Sequence, residues 1–287
     1  MALWTKATAN TLVQRLASAW LVVVLGPTAC LDTAAETDPT EVIWEAPRPL
    51  ATAEVGEWQL TMLSDRPLRA GWNRVYYQLR SATAQNQEAI LTPTAALSLG
   101  SQSLPAAVDV APPDDPWSRS SSPGLQGYIG ALTFPQPGLA AADWTLQVVA
   151  SLPGDSSATF DLGPVEVAPS PWVRSLQAPG DKSADRYLVA LYFPTPLRLG
   201  TVPYWLAIYR QQGPSLPFLP LPSARVEVAL DMPGMGHTAG QLSQPHWFFG
   251  ALQQGQLTLP MPGEWRLTVH LYDGTRALSA VTFAWKL

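Results

Sequence analysis

The sequence predicts an all-β protein, two tandem antiparallel β-sandwich modules behind a signal peptide, and three observations predict it. The 287 residues include 29 prolines and 20 glycines but only 14% charged residues. Proline lacks an amide donor and clashes with the preceding helical turn, so this balance suits short strands and many turns. An apolar fraction of 47% is enough to fill real cores. The third observation is a duplication. Pro67-Leu-Arg-Ala-Gly71 recurs as Pro196-Leu-Arg-Leu-Gly200, and Tyr128-Ile-Gly-Ala-Leu132 as Phe248-Phe-Gly-Ala-Leu252. Asp143-Trp-Thr-Leu-Gln-Val148 recurs as Glu264-Trp-Arg-Leu-Thr-Val269, and the three matches keep one order.

Residues 1–29 read as the signal peptide. Lys6 and Arg15 precede an apolar run, Leu16 to Leu25, which is followed by Gly-Pro-Thr-Ala-Cys30. The ending resembles a bacterial lipobox, with Ala29 before the cysteine and Pro27 where leucine is usual. The resemblance implies that Cys30 is lipidated and becomes the first residue of an exported, membrane-anchored lipoprotein on the periplasmic or cell-surface side. Leu31 in place of Asp implies the outer membrane where a cell has one. Cys30 is the only cysteine, and a lone thiol in an exported chain is odd unless modified. Several acyl chains make such anchoring stable. The alternative is an ordinary signal peptide with an incidental cysteine.

Residues 30–53, rich in Thr, Ala, Glu and Pro, read as a lipidated tether. The first module is expected over 54–168, a Pro-rich linker over 169–184, and the second module over 185–287. Strands show period two. Trp265, Leu267, Val269 and Leu271 share one face, Arg266, Thr268 and His270 the other. Arg225 to Leu230 alternates likewise, and Asp273-Gly274 marks a hairpin turn. Strands with one apolar face need a second sheet to cover it.

The candidate chemistry sits in the second module. It holds all three histidines, His237, His246 and His270, and Met232, Met235 and Met261. In Asp231-Met-Pro-Gly-Met-Gly-His237, proline followed by glycine predicts a type II turn, with Met232 and Met235 as its first and fourth residues. Two thioethers and a nearby imidazole favour Cu(I) over hard cations. Thioethers lose no proton and form no disulfide, which suits an oxidising compartment. Met261-Pro-Gly263 can add a third sulfur. Met232, Met235 and His237, completed by Met261 or His246, form the expected metal set.

These residues resemble the YtkA-like family, relatives of FixH. In that family a Met-Pro-x-Met-x-His stretch, here Met232, Pro233, Met235 and His237, precedes a Met-Pro-Gly-x-Trp stretch, here Met261, Pro262, Gly263 and Trp265. The resemblance covers roughly residues 185–287. It implies an immunoglobulin-like sandwich outside the cytoplasm and a link with copper handling or respiratory oxidase assembly. The first module matches only in framework, with Pro135-Gln-Pro-Gly138 at the second motif.

Plainer readings stand beside these. Methionine can pack a sandwich end while Pro-Gly makes the corner. His270 lies on the solvent face, His246 in a loop between Pro245 and Trp247, and Asp231 in a turn. Of the twelve tryptophans, Trp58, Trp144 and Trp265 fall in alternating strands and read as core rather than as a sugar-stacking surface. Leu216 to Pro222 can dock a protein partner as an extended segment or form an edge loop. The alternative function is a metal-free structural or adaptor lipoprotein that binds a protein partner. A formal charge of −5, about −7 without residues 1–29, disfavours nucleic acid. No Gly-x-Ser-x-Gly, His-Glu-x-x-His or phosphate loop occurs, so an enzyme is not expected.

Overall fold

The structure, a computed structural model, describes residues 46–81, 90–99, 102–110, 125–138, 144–152, 156–177, 185–213, 216–235 and 240–287. Cys30, the signal peptide and His237 lie outside them. The first half contains β1 (Arg48–Val55), β2 (Trp58–Ser64), β3 (Gly71–Ser81), β4 (Ile90–Leu99), β5 (Gln102–Pro105), β6 (Ala107–Val110), β7 (Leu125–Phe134), β8 (Trp144–Leu152) and β9 (Ser156–Val165). The second half opens with β10 (Val173–Gln177), β11 (Asp185–Tyr192), β12 (Gly200–Gln212), β13 (Leu219–Pro220) and β14 (Arg225–Asp231). It continues with β15 (Gln241–Leu242), β16 (His246–Phe249), β17 (Leu252–Leu259), β18 (Glu264–Asp273), β19 (Arg276–Ala277) and β20 (Val281–Lys286). No helix occurs among the described residues.

In the first half, the sheet β1-β2-β3-β7-β6 packs on the sheet β5-β4-β8-β9. In the second, β10-β11-β12-β17-β15 packs on β14-β18-β20. An immunoglobulin-like sandwich sets strands A, B, E and D against C, F and G. Here β2, β3, β7 and β6 face β4, β8 and β9 in that order, and β11, β12, β17 and β15 face β14, β18 and β20. The fold is therefore two tandem immunoglobulin-like antiparallel sandwiches.

Each sandwich has its own core, and a third core lies between them. Leu60, Val75, Tyr77, Trp144, Leu146 and Phe160 fill the first. Val189, Leu206, Ile208, Val228, Trp265 and Phe283 fill the second. Between the sandwiches, Trp72 and Ala131 meet Tyr192, Ala207, Tyr209 and Phe218. Trp72 packs edge-on to Tyr192 at 4.5 Å between centroids, and Thr133 Oγ1 donates across the interface to Tyr209 Oη at 3.0 Å. Arg66, itself buried, lies 4.5 Å over the Tyr192 ring and is held by Asp65 at 3.2 Å. Strands β3, β11 and β12 are thus buried on both faces.

Two boundaries differ from expectation. β1 begins at Arg48, inside the expected 30–53 tether, where it pairs with β2. β10 lies inside the expected 169–184 linker and forms the outer strand of the second sandwich, with Trp172 buried in that core. Prolines 169 and 171 precede the strand and so take no place in its ladder.

Two of the three sequence echoes are also structural equivalents. Gly71 and Gly200 open β3 and β12 with positive φ (104° and 96°), and Trp144 and Trp265 are both fully buried on the middle strand of the C–F–G order, β8 and β18. The Tyr128–Leu132 echo is not. Gly71 pairs with Phe134 and Gly200 with Leu259, so Leu132 corresponds to Leu257, not to Leu252. Phe248 to Leu252 instead forms the bulged β16–β17 hairpin, with Gly250 at φ 51°.

Candidate functional site

The alternation of β14 carries one step past its end. Val226, Val228 and Leu230 point into the core, and Met232 follows them there, 8% exposed. Asp231 has the opposite parity and pairs across the ladder with Arg266. The chain then turns. The Met235 N–H donates to the Met232 carbonyl at 3.0 Å, the bond expected of a four-residue turn through Pro233 and Gly234. Gly234 does not take a positive φ, so the turn is of the type I class and not type II. Met235, its fourth residue, is 40% exposed.

The second methionine motif meets the first at this corner. Met261 is partly buried against the same core, and its carbonyl accepts from Trp265 Nε1 at 3.2 Å. Gly263 pairs with Leu287 through both backbone groups, at 3.0 and 3.1 Å. A Cβ placed on Gly263 would lie 2.4 Å from Met232 Cε. The absent side chain at 263 is the space in which the Met232 methyl group rests. Gly263 also has φ 149°, outside the range that side chains favour. Sequence reasoning missed this contact, although the glycine stands in the second motif.

The structure therefore brings Met232, Met235 and Met261 to one corner. It does not bring His246 there. His246 is exposed and pairs with Gln254, five places before Leu259 on β17, which at ~3.4 Å per residue sets it roughly 17 Å away. Gln254 Nε2 lies 3.2 Å from His246 Nε2. His270 is exposed opposite Glu227, on the outer face of its sheet. His237 lies outside the described residues. Among the described residues, no cluster of three His, Cys, Asp or Glu side chains could hold a metal.

The other sequence features fall as follows. Trp144 and Trp265 are fully buried and Trp58 packs partly buried on the first core. Trp247 is exposed. The 216–222 segment is pinned to its own chain: Phe218 fills the core between the sandwiches, β13 pairs with β12, and Gln211 Nε2 donates to the Leu216 carbonyl at 2.7 Å. No described helix is long and apolar enough to cross a membrane.

No protein-family model matches the chain, and no curated protein matches it. Among solved structures, it is similar to a conserved domain protein from Bacillus anthracis, at 10% identity and TM-score 0.35, over 85% of this chain and 91% of that one. It is also similar to the D0-D1 domain of intimin, at 11% identity and TM-score 0.21, over 76% and 93% of the two chains. Extracellular cadherin domains 1–4 of protocadherin gamma B7 match at 10% identity and TM-score 0.19, over 87% and 73%.

Proposed function

We propose that this chain is an exported lipoprotein, anchored to a membrane through Cys30, whose second sandwich holds Cu(I) at the methionine corner. One observation carries the reading. Two Met-Pro-Gly turns far apart in sequence converge so closely that the Met232 methyl group occupies the space a side chain on Gly263 would need. Met232, Met235 and Met261 supply neutral, soft sulfur donors, a set that favours Cu(I). His237, two residues beyond Met235, is the nitrogen donor in this reading, and His246 is left out by its position on β16, opposite Gln254 of β17. The similarity of both motifs to the YtkA-like family supports copper handling or respiratory oxidase assembly as the setting.

A second reading rests on the burial of Met232. In it the methionines plug the sandwich end, and the protein is a metal-free adaptor that meets a protein partner. One titration separates the two. Cu(I) is added to Ala35–Leu287, the compact unit that holds both sandwiches, against a competing chelator, then to the Met235→Leu and Met232→Leu variants. The metal reading expects Met235→Leu, at an exposed position, to weaken binding at least ten-fold with no change in melting temperature. The adaptor reading expects equally weak binding by all three proteins, and a cost below about 1.5 kcal/mol for Met232→Leu as a volume-conserving core change.

A further inference from the structure

The duplication lets each position of one sandwich be checked against the other. The Gly138 N–H donates to the Val167 carbonyl at 3.0 Å as the Gly263 N–H does to Leu287 at 3.1 Å. Val165 pairs with Trp144, and Trp285 with Trp265, so Val165 and Trp285 are equivalent. Counting from Gly71 and Gly200, Val75 is equivalent to Tyr204, and Ser64, which pairs with Val75, takes the place of Phe193. Ala51 pairs with Met62, as Trp172 lies opposite Leu191, whose N–H it accepts at 2.9 Å.

In the second sandwich the three aromatic residues close the end. Trp172, Phe193 and Trp285 touch mutually, with ring centroids 5.4, 6.0 and 5.8 Å apart. The first sandwich has Ala51, Ser64 and Val165 at those places. At that end lies an open groove of about 340 Å³ lined by Leu50, Leu68, Pro164, Val165, Glu166 and Ala168. The volume falls within the range of ligand pockets, about 300–1,000 Å³. The groove lies where β1 and β9, outer strands of the two sheets, run against each other.

We infer that this groove is a docking site for an aromatic side chain carried on an extended segment of a partner protein. The second sandwich shows the chemistry of the occupant. There the filler is the Trp172 ring, at the place that Ala51 of β1 holds in the first sandwich, so the backbone position is taken and the ring alone is missing. In the first sandwich Glu166 stands exposed at the rim, where a basic neighbour of the aromatic residue would meet it. An aromatic side chain buries on the order of 150–250 Å², and an extended backbone adds hydrogen bonds along a strand edge. A free ring would gain only the first.

The probe is the blocked pentapeptide Ser-Pro-Trp-Val-Arg, copied from residues 170–174, titrated into ¹⁵N-labelled Ala35–Leu287 and followed by amide shifts. The expected result is saturable shifts centred on Leu68, Val165 and Glu166. Replacing the peptide's Trp by Ala should weaken binding at least ten-fold, and Glu166→Gln about three-fold. Val165→Trp, which installs the second sandwich's own residue, should also weaken it at least ten-fold while leaving the melting temperature unchanged or raised. Leu50→Phe narrows the groove from its other wall and should act alike, so a folding defect in one variant leaves the other as the test. No binding at millimolar peptide, equal binding of the Trp and Ala peptides, or undiminished binding by both filled variants would each overturn the proposal. Free indole binding as tightly as the peptide would overturn the partner-protein reading in favour of a small ligand.

Discussion

The two sandwiches share a strand order yet close their ends differently. Both bury a tryptophan at the start of β8 or β18, and both open their central strand on a glycine of positive φ. The second closes one end with Trp172, Phe193 and Trp285 and places methionines at a corner built on Gly263. The first has Ala51, Ser64 and Val165 at that end, and Gln136 where the second has Met261. Ladder positions are constrained by neighbours on both sides, because a change there disturbs the packing of an entire sheet. End positions answer only to what covers them. Divergence between the copies is therefore a guide to where each meets something else.

The largest effects should show what the copies share. Trp144→Ala and Trp265→Ala each empty a fully buried site and should cost about 3–5 kcal/mol. At this size that is a fall in melting temperature on the order of 10 °C. Because a third core joins the sandwiches, each variant should still melt in one transition. Calorimetry checks this, and two separated transitions in either variant would break the comparison by showing that the copies stand independently.

How much of this was legible follows from which faces are buried. Strands β8, β14 and β18 have one wet face, so their alternation is plain in Trp144 to Leu152, Arg225 to Asp231 and Glu264 to Asp273. Tyr187-Leu-Val-Ala-Leu-Tyr192 shows no alternation because β11 is buried on both sides, and that unbroken run was the sign of a third core. β10 hid behind its prolines. The Pro233-Gly234 turn was legible, but its type was not, since a type I turn accepts glycine without needing its positive φ. The burial of Met232 was within reach: Val226, Val228 and Leu230 set a parity that Met232 continues. The contact with Gly263 was not, because it depends on where two sheets end in space. The hairpin after β18 turns through Gly274 and Thr275, between the paired Asp273 and Arg276, one place later than the Asp-Gly pattern suggests.

Alkaline unfolding sharpens the comparison. Burial raises the Tyr187 phenol to about 12, helped by its hydrogen bond to Asp273 at 2.9 Å. Burial also raises Tyr204 in the second sandwich and Tyr77 in the first. The unfolded phenol ionises near pH 10, so the fold favours the neutral form and its contribution is complete below that pH. It is lost as pH rises from about 10 towards 12, and two of the three phenols belong to the second sandwich. Urea midpoints should hold between pH 8 and 9.5 and drop by pH 11, with a smaller drop in Tyr187→Phe. A midpoint unchanged at pH 11 would contradict the burial of these phenols.

The smallest effect tests the joint itself. Thr133 lies on β7 and Tyr209 on β12, and their hydroxyls meet 3.0 Å apart in the core between the sandwiches. Thr133→Val keeps the shape and removes the donor, so it should cost about 1 kcal/mol. Thr201 and Thr258 make a similar pair, 2.9 Å apart, but on the exposed face of the second sandwich, where water replaces either partner. Thr201→Val should therefore be close to neutral. If the sandwiches act as one folding unit, the Thr133→Val cost must appear equally in the hydrogen exchange of β8 and β18, neither of which pairs with β7. A loss confined to β8 would mean that the first sandwich can open alone, and the shared core would then be a contact between two stable bodies rather than a requirement of both.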